Sequence, residues 1–74
     1  MKMLLSQIKI SDAYANTSPR AEKMDACREH YLKNKSQDRY LIVSANNVLI
    51  DGYIQYLILK ELGVEEAEVL RSSK

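Results

Sequence analysis

The residues best suited to chemistry lie in the segment "VLIDGYIQYLILKELG", residues 48–63. Asp51 and Gly52 join a predicted buried strand to a predicted helix, whose start presents free backbone N–H groups and a positive dipole end. Such a start can hold a phosphate, and a glycine lets a ligand approach the backbone closely. Tyr53 and Tyr56 share a helix face and could stack a base. The alternatives are a plain helix cap at Asp51 and tyrosines that only pack.

Other reactive side chains do not form a catalytic or metal-binding group in the sequence. Cys27 and His30 are three residues apart on a predicted helix and would supply two metal ligands at most, which is too few for a zinc site. Cys27 falls on an apolar helix stripe, where a thiol is poorly accessible. No second carboxylate close to Asp51 in the sequence forms an acid–base pair with it. We therefore predict no catalytic residue, no metal and no other cofactor.

Length and composition indicate one small globular domain over residues 1–74. The chain is 46% hydrophobic and 28% charged, with a net charge of +1. This charge gives no general attraction to nucleic acid, so any such binding would need a local basic patch. The single cysteine allows no internal disulfide. With neither a signal peptide nor a membrane-length apolar stretch, the chain is predicted to be cytoplasmic and not membrane-bound.

The apolar pattern predicts an α+β fold, with a small mixed sheet of about four strands and two main helices in the order β-α-β-β-α-β. The strands are predicted at 4–10, 39–44, 48–50 and 65–71, and the helices at 19–33 and 53–62. Ser18 and Pro19 favour a helix start, Asn34 and Gly63 favour helix ends, and "SANN" favours a tight hairpin. The alternation of the last strand indicates an exposed-face or edge strand.

The segment "VLIDGYIQYLILKELGVEEAEVL" resembles the second conserved block of the ParB/sulfiredoxin-like superfamily. In that family a strand ends in a glycine, often as Asp-Gly, followed by a basic cluster, a helix and a second glycine. Gly52 and Gly63 match the spacing of the two glycines. "RYLIVS" is similar to the strand of the preceding block, and "NTSPR" to an entry segment that often carries Pro-Arg. The resemblance covers nearly the whole chain and implies a ParB N-terminal-domain-like fold.

The resemblance also shows where this chain departs from the family. The family's redox Cys, His and Arg positions correspond to Tyr53, Ile54 and Gln55. In the family the basic pair grips nucleotide phosphates, whereas glutamine keeps hydrogen bonding without the charge or the bidentate fork. The resemblance therefore implies a non-catalytic binding module. The helix-turn-helix DNA reader that follows this domain in ParB proteins is not expected within these residues.

Two functions are compatible with the sequence, and the first is binding of a nucleotide or a nucleic-acid phosphate. In this reading the ligand site is the junction between the third predicted strand and the second predicted helix, at Asp51 and Gly52. Arg20 is a remaining cation near it, and the tyrosines assist. The predicted ligand-binding residues are Arg20, Asp51, Gly52, Tyr53, Gln55 and Tyr56.

The second function is protein interaction or self-association without a retained ligand site. One stripe of the second predicted helix accounts for its sheet-facing side, yet Tyr56 and Leu59 add apolar surface elsewhere around it. A protein partner or a second copy of the chain, giving a homodimer, would cover Tyr56 and Leu59. The alternative is that the first helix or the chain termini cover them.

Overall fold

Four short strands form one mixed sheet, the last helix packs on this sheet, and the long helix before it packs on that last helix. The computed structural model describes residues 1–37 and 39–72. Its elements are β1 (Lys2–Leu4), a 3₁₀ turn (Leu5–Gln7), α1 (Asp12–Ala15), α2 (Ala21–Asn34), β2 (Leu41–Val43), β3 (Leu49–Asp51), α3 (Tyr53–Glu61) and β4 (Glu66–Arg71). The predicted α+β class and element order are confirmed, with α1 as an addition.

The last strand lies in the middle of the sheet, whose strand order is β1-β4-β2-β3. β4 pairs antiparallel with β1 and parallel with β2, while β2 and β3 form an antiparallel hairpin. The predicted alternation of β4 is correct, since Ala67 and Val69 are buried and Glu66 and Leu70 are exposed. The prediction of an edge position is wrong. β4 is an inner strand, and its charged side chains lie on the exposed face of the sheet.

The predicted first strand at 4–10 is also wrong. β1 ends at Leu4, the chain then makes the 3₁₀ turn, and only an isolated bridge forms between Lys9 and Val48. Leu5 and Ile8, which are three residues apart, are both buried. A turn can place both on one side, whereas a strand would send them to opposite faces.

The segment predicted as a loop contains α1. Its N-cap residue is Ser11, whose side chain accepts a hydrogen bond from the Tyr14 N–H at 3.4 Å. α2 begins two residues later than predicted. Its N-cap residue is Arg20, whose side chain makes no capping hydrogen bond. Its left-handed stop falls on Lys35 rather than Asn34. These shifts move the helix ends by one or two residues and leave α2 where the sequence placed it.

The predicted hairpin and the predicted end of α3 are confirmed. Asn47 adopts a φ of 65° in the turn between β2 and β3. Gly63, with a φ of 77°, follows α3. The Val64 N–H bonds to the Leu59 carbonyl at 2.9 Å and the Gly63 N–H to the Lys60 carbonyl at 3.2 Å. This pair of bonds is a Schellman motif, which satisfies the last carbonyls of the helix.

The prediction of an interface at Tyr56 and Leu59 needs correction, because both residues lie in the protein's own core. Their side chains are 6% and 1% exposed, and the neighbouring Ile58 is fully buried. α3 is thus covered on one side by the sheet and on another by α2. Tyr56 and Leu59 share one core cluster with the strand residues Leu41, Val43 and Val69, so they lie on the side of α3 that faces the sheet.

Candidate ligand-binding cleft

A cleft of about 870 Å³ opens between the amino end of α3, one face of α2 and the segment 17–20. It contains five of the six predicted ligand-binding residues and several that were not predicted. The lining residues are Tyr14, Thr17, Ser18, Pro19, Arg20, Lys23, Ala26, Cys27, His30, Arg39, Asp51, Gly52, Tyr53, Ile54 and Gln55.

The turn into α3 requires a glycine for two separate reasons. Gly52 has a φ of 91°, in the left-handed region that other residues rarely adopt. A Cβ at this position would lie 2.9 Å from Leu41 Cδ2 and 3.4 Å from Leu41 Cα. Because Leu41 is fully buried in the core, the start of α3 packs directly against β2.

Gly52, not Asp51, is the N-cap residue of α3, and it has no side chain with which to cap the helix. The prediction of Asp51 as the cap is therefore wrong by one residue. Asp51 ends β3, and its carboxylate Oδ1 accepts a hydrogen bond from the Gly52 N–H at 2.9 Å. Tyr53 and Ile54 begin the helix at the cleft. The backbone donors and the positive dipole end of this first turn therefore lie beside the cleft.

Three cationic side chains line the cleft: Arg20, Lys23 and Arg39. All three are exposed, and within residues 1–37 and 39–72 none forms an ion pair. Arg20 and Lys23 project from the start of α2, whereas Arg39 precedes β2. Asp51 is the acidic residue of the lining, so the described part of the cleft carries an excess of positive charge.

Gln55 joins the two helices at the inner side of the cleft. It is 2% exposed, and its Oε1 accepts a hydrogen bond from Cys27 Sγ at 3.5 Å. One turn further along α2, His30 Nδ1 lies 3.3 Å from Asn34 Nδ2. Cys27 and His30 therefore form the wall between the helices, and the buried Gln55 contributes a dipole rather than a charge to it.

The tyrosines form an aromatic stack that begins in the cleft and ends in the core. The rings of Tyr14 and Tyr53 are 4.8 Å apart and those of Tyr53 and Tyr56 are 6.3 Å apart, each pair within 15° of parallel. The Tyr14 hydroxyl donates to the Ile50 carbonyl at 2.5 Å. Burial raises the pKa of Tyr14, and the nearby Asp51 carboxylate raises it further. Tyr56 does not line the cleft, so it is the one predicted ligand-binding residue that lies outside it.

The cleft-lining residues that were not predicted from the sequence differ in how readily they could have been found. Lys23 and His30 lie three and ten residues after Arg20 and share its face of α2, so helical spacing could have added them. Arg39 follows α2 in an irregular segment, where spacing gives no direction. Tyr14 lies in α1, which was predicted as a loop.

The described residues also contain no group of three or more His, Cys, Asp or Glu side chains arranged to hold a metal ion. Within the same part of the chain, no helix has the length and apolar character needed to cross a membrane.

Two solved structures resemble this chain over 96% of its length. One is the C2221 form of a Pnob8-like ParB-N domain, with a TM-score of 0.80 and 30% sequence identity. The other is a pNOB8-like ParB N-domain, with a TM-score of 0.75 and 28% identity. The present chain spans 28% and 26% of the lengths of those two chains. Comparison with known sequence families and with curated proteins gave no match.

Proposed function

The chain has the fold of a ParB N-terminal domain, and on this premise we propose that it is a non-catalytic module that binds a phosphate-bearing ligand of the nucleotide class. The ligand lies in the cleft at the start of α3. Its phosphate groups face Arg20, Lys23 and Arg39, and the first turn of α3 supplies backbone donors.

One observation carries this proposal: three exposed cations, with no ion-pair partner among the described residues, line the same cleft as an uncapped helix start. Three cations and one carboxylate leave the cleft with a net positive charge, and a phosphate brought among the cations reduces the repulsion between them. Backbone N–H groups at a helix start add directed hydrogen bonds to an anion. Either feature alone would be weak support, and their location in one cleft strengthens it.

The substitutions at the family's basic positions change which residues make the charge contacts. Tyr53, Ile54 and Gln55 bring no cation to the start of α3. The positive charge comes instead from the start of α2 and from the segment before β2. A ligand held this way lies where the resemblance implies, but its charge contacts come from α2 and the segment before β2 instead of from α3.

A thermal-shift titration with the four ribonucleoside triphosphates tests the proposal. At a ligand concentration of ten times Kd, stabilisation is about 1.4 kcal/mol, which raises the Tm of a domain this small by about 6–10 °C. The increase should shrink as salt is added, because the contacts are ionic. Binding in the cleft is contradicted if no triphosphate at millimolar concentration raises the Tm.

Two variants of the same helix identify the cleft as the binding site. Lys23→Ala removes a lining cation, whereas Lys33→Ala removes an exposed lysine of α2 that does not line the cleft. We expect the first variant to weaken nucleotide binding about tenfold and the second to leave it unchanged. Arg20→Ala should behave like Lys23→Ala. Equal effects of Lys23→Ala and Lys33→Ala would mean that the ligand responds only to the net charge.

Self-association is a second candidate function, which the open face of the sheet favours. Ile42 and Leu70 are neighbours in the pairing of β2 with β4, and Leu70 is 49% exposed. Tyr40, just before β2, is 51% exposed. Because strand residues alternate between faces, these side chains lie opposite the core residues Leu41 and Val69.

Sedimentation analysis at high micromolar concentration tests this second function. A dimer that Leu70→Glu converts into a monomer would support it. The matched control is Leu32→Glu, since Leu32 is 48% exposed on α2 and lies outside the sheet. A wild-type chain that is monomeric at every concentration contradicts self-association.

A further inference from the structure

The lining of the cleft carries charges of both signs. Arg20, Lys23 and Arg39 bring positive charge to it, whereas Asp51 brings a carboxylate to the start of α3. Asp51 is exposed and forms no ion pair with the residues that the structure describes. The carboxylate therefore remains accessible to a ligand, and the positive dipole end of α3 lies beside it.

The bonding of Asp51 leaves it able to accept further hydrogen bonds. One carboxylate oxygen, Oδ1, accepts the Gly52 N–H at 2.9 Å. A carboxylate offers about four lone-pair positions on its two oxygens, so most of its acceptor capacity is open to a ligand. The Tyr14 hydroxyl nearby donates to the Ile50 carbonyl instead, so it does not fill that capacity.

The Asp51 carboxylate repels an approaching anion and attracts an approaching hydrogen-bond donor. A phosphate placed on the first turn of α3 would gain from the dipole and lose to the charge of Asp51. A hydroxyl or amino group would form a charge-assisted hydrogen bond there, which is stronger than one between neutral groups.

From these observations we infer that Asp51 determines specificity, and that it selects anions that also carry hydroxyl or amino donors over anions that are phosphate throughout. A ribonucleotide belongs to the favoured class and inorganic tripolyphosphate to the disfavoured one. The inference rests on the proposed function, because it assumes that the phosphates occupy the cationic wall.

Calorimetric titration of the full chain and of Asp51→Asn with ATP and with tripolyphosphate, at one ionic strength, tests the inference. Asparagine keeps an oxygen that can accept the Gly52 N–H, so the turn is preserved. The wild type should bind ATP more tightly than tripolyphosphate. In Asp51→Asn the affinity for tripolyphosphate should rise about fivefold, and that for ATP should fall about tenfold.

Glu29→Gln is the matched control, because it removes the same charge from an exposed position on α2 outside the cleft. It should leave the ratio of the two affinities unchanged. If both ligands bind and Asp51→Asn also leaves the ratio unchanged, the inference is overturned while the proposed function stands. A wild type that prefers tripolyphosphate overturns the inference as well. Failure of both ligands to bind overturns both.

Discussion

Replacement of Gly52 by alanine should be among the most damaging single changes in this chain. The backbone at Gly52 has a φ of 91°, which an alanine adopts at a cost of about 1–2 kcal/mol. The new Cβ would also lie 2.9 Å from Leu41 Cδ2. Leu41 is fully buried between the sheet and α3, so its side chain can move only by displacing the core, at a further cost of about 1–3 kcal/mol.

Gly63→Ala provides the control that separates these two costs. Gly63 also has a positive φ, of 77°, but a Cβ there would meet no atom within 4 Å. Only the backbone cost applies, so we expect a loss of about 1–2 kcal/mol at Gly63 and of about 2–5 kcal/mol at Gly52. A chain of 74 residues has a total stability of only about 4–11 kcal/mol, so the change at Gly52 would remove a large share of it.

Urea unfolding followed by circular dichroism measures both free energies of unfolding. The slopes of the two variants and the wild type should agree, because the surface exposed on unfolding is the same. If Gly52→Ala were no more destabilising than Gly63→Ala, the close approach of α3 to β2 would not limit the residue at this turn. The reasoning from the Leu41 contact would then be refuted.

Two further changes test contacts outside the cleft. Glu61→Gln removes a two-bond ion pair with Arg28 that joins α3 to α2; hydrogen bonding from Arg28 lowers the pKa of Glu61. The Tm advantage of wild type over Glu61→Gln should therefore be present at neutral pH and in low salt, and should vanish as the pH falls through that lowered pKa; an advantage that persists in acid would contradict this. Gln37→Ala removes a side chain that accepts the Glu68 N–H at 2.6 Å and donates to the Glu68 carbonyl at 3.1 Å. It should cost about 1–3 kcal/mol in urea unfolding, whereas the exposed neighbour Ser36→Ala should cost almost nothing, and equal losses would show that the two bonds do not stabilise β4.

Local backbone chemistry explains the parts of the fold that could be predicted from sequence. Asn47 and Gly63 occupy left-handed conformations in the structure, which their residue types permit more readily than most. The alternation along β4 identified its buried side for the same reason, since a strand alternates faces wherever it lies in the sheet. Each of these features depends on a few neighbouring residues.

The errors arose where distant contacts decide the structure. Ile8 and Ile10 have strand-like spacing, but the burial of Leu5 together with Ile8 favours a turn. The central position of β4 depends on its pairing with both β1 and β2, and no property of its own residues reports this. Tyr56 and Leu59 were assigned to an uncovered face because the sequence does not show which side of α3 packs on the sheet.

The same distinction, between features set by neighbouring residues and features set by distant contacts, applies to the candidate site. The Asp51–Gly52 turn and the nearness of Arg20 could be predicted, since they depend on a local signature and on a familiar order of elements. Arg39 could not, because it reaches the cleft through the path of an irregular segment. That Asp51 and the three cations line one cleft could be predicted only from their three-dimensional positions.

The central place of β4 has a consequence for how the molecule assembles. β1 and the β2–β3 hairpin do not touch each other within the sheet, and β4 alone bonds to both. A growing polypeptide therefore makes every other described strand before the one that unites them. Until residues 66–71 emerge, the earlier strands have no continuous sheet to join, so the sheet should form in one step once β4 is available rather than strand by strand.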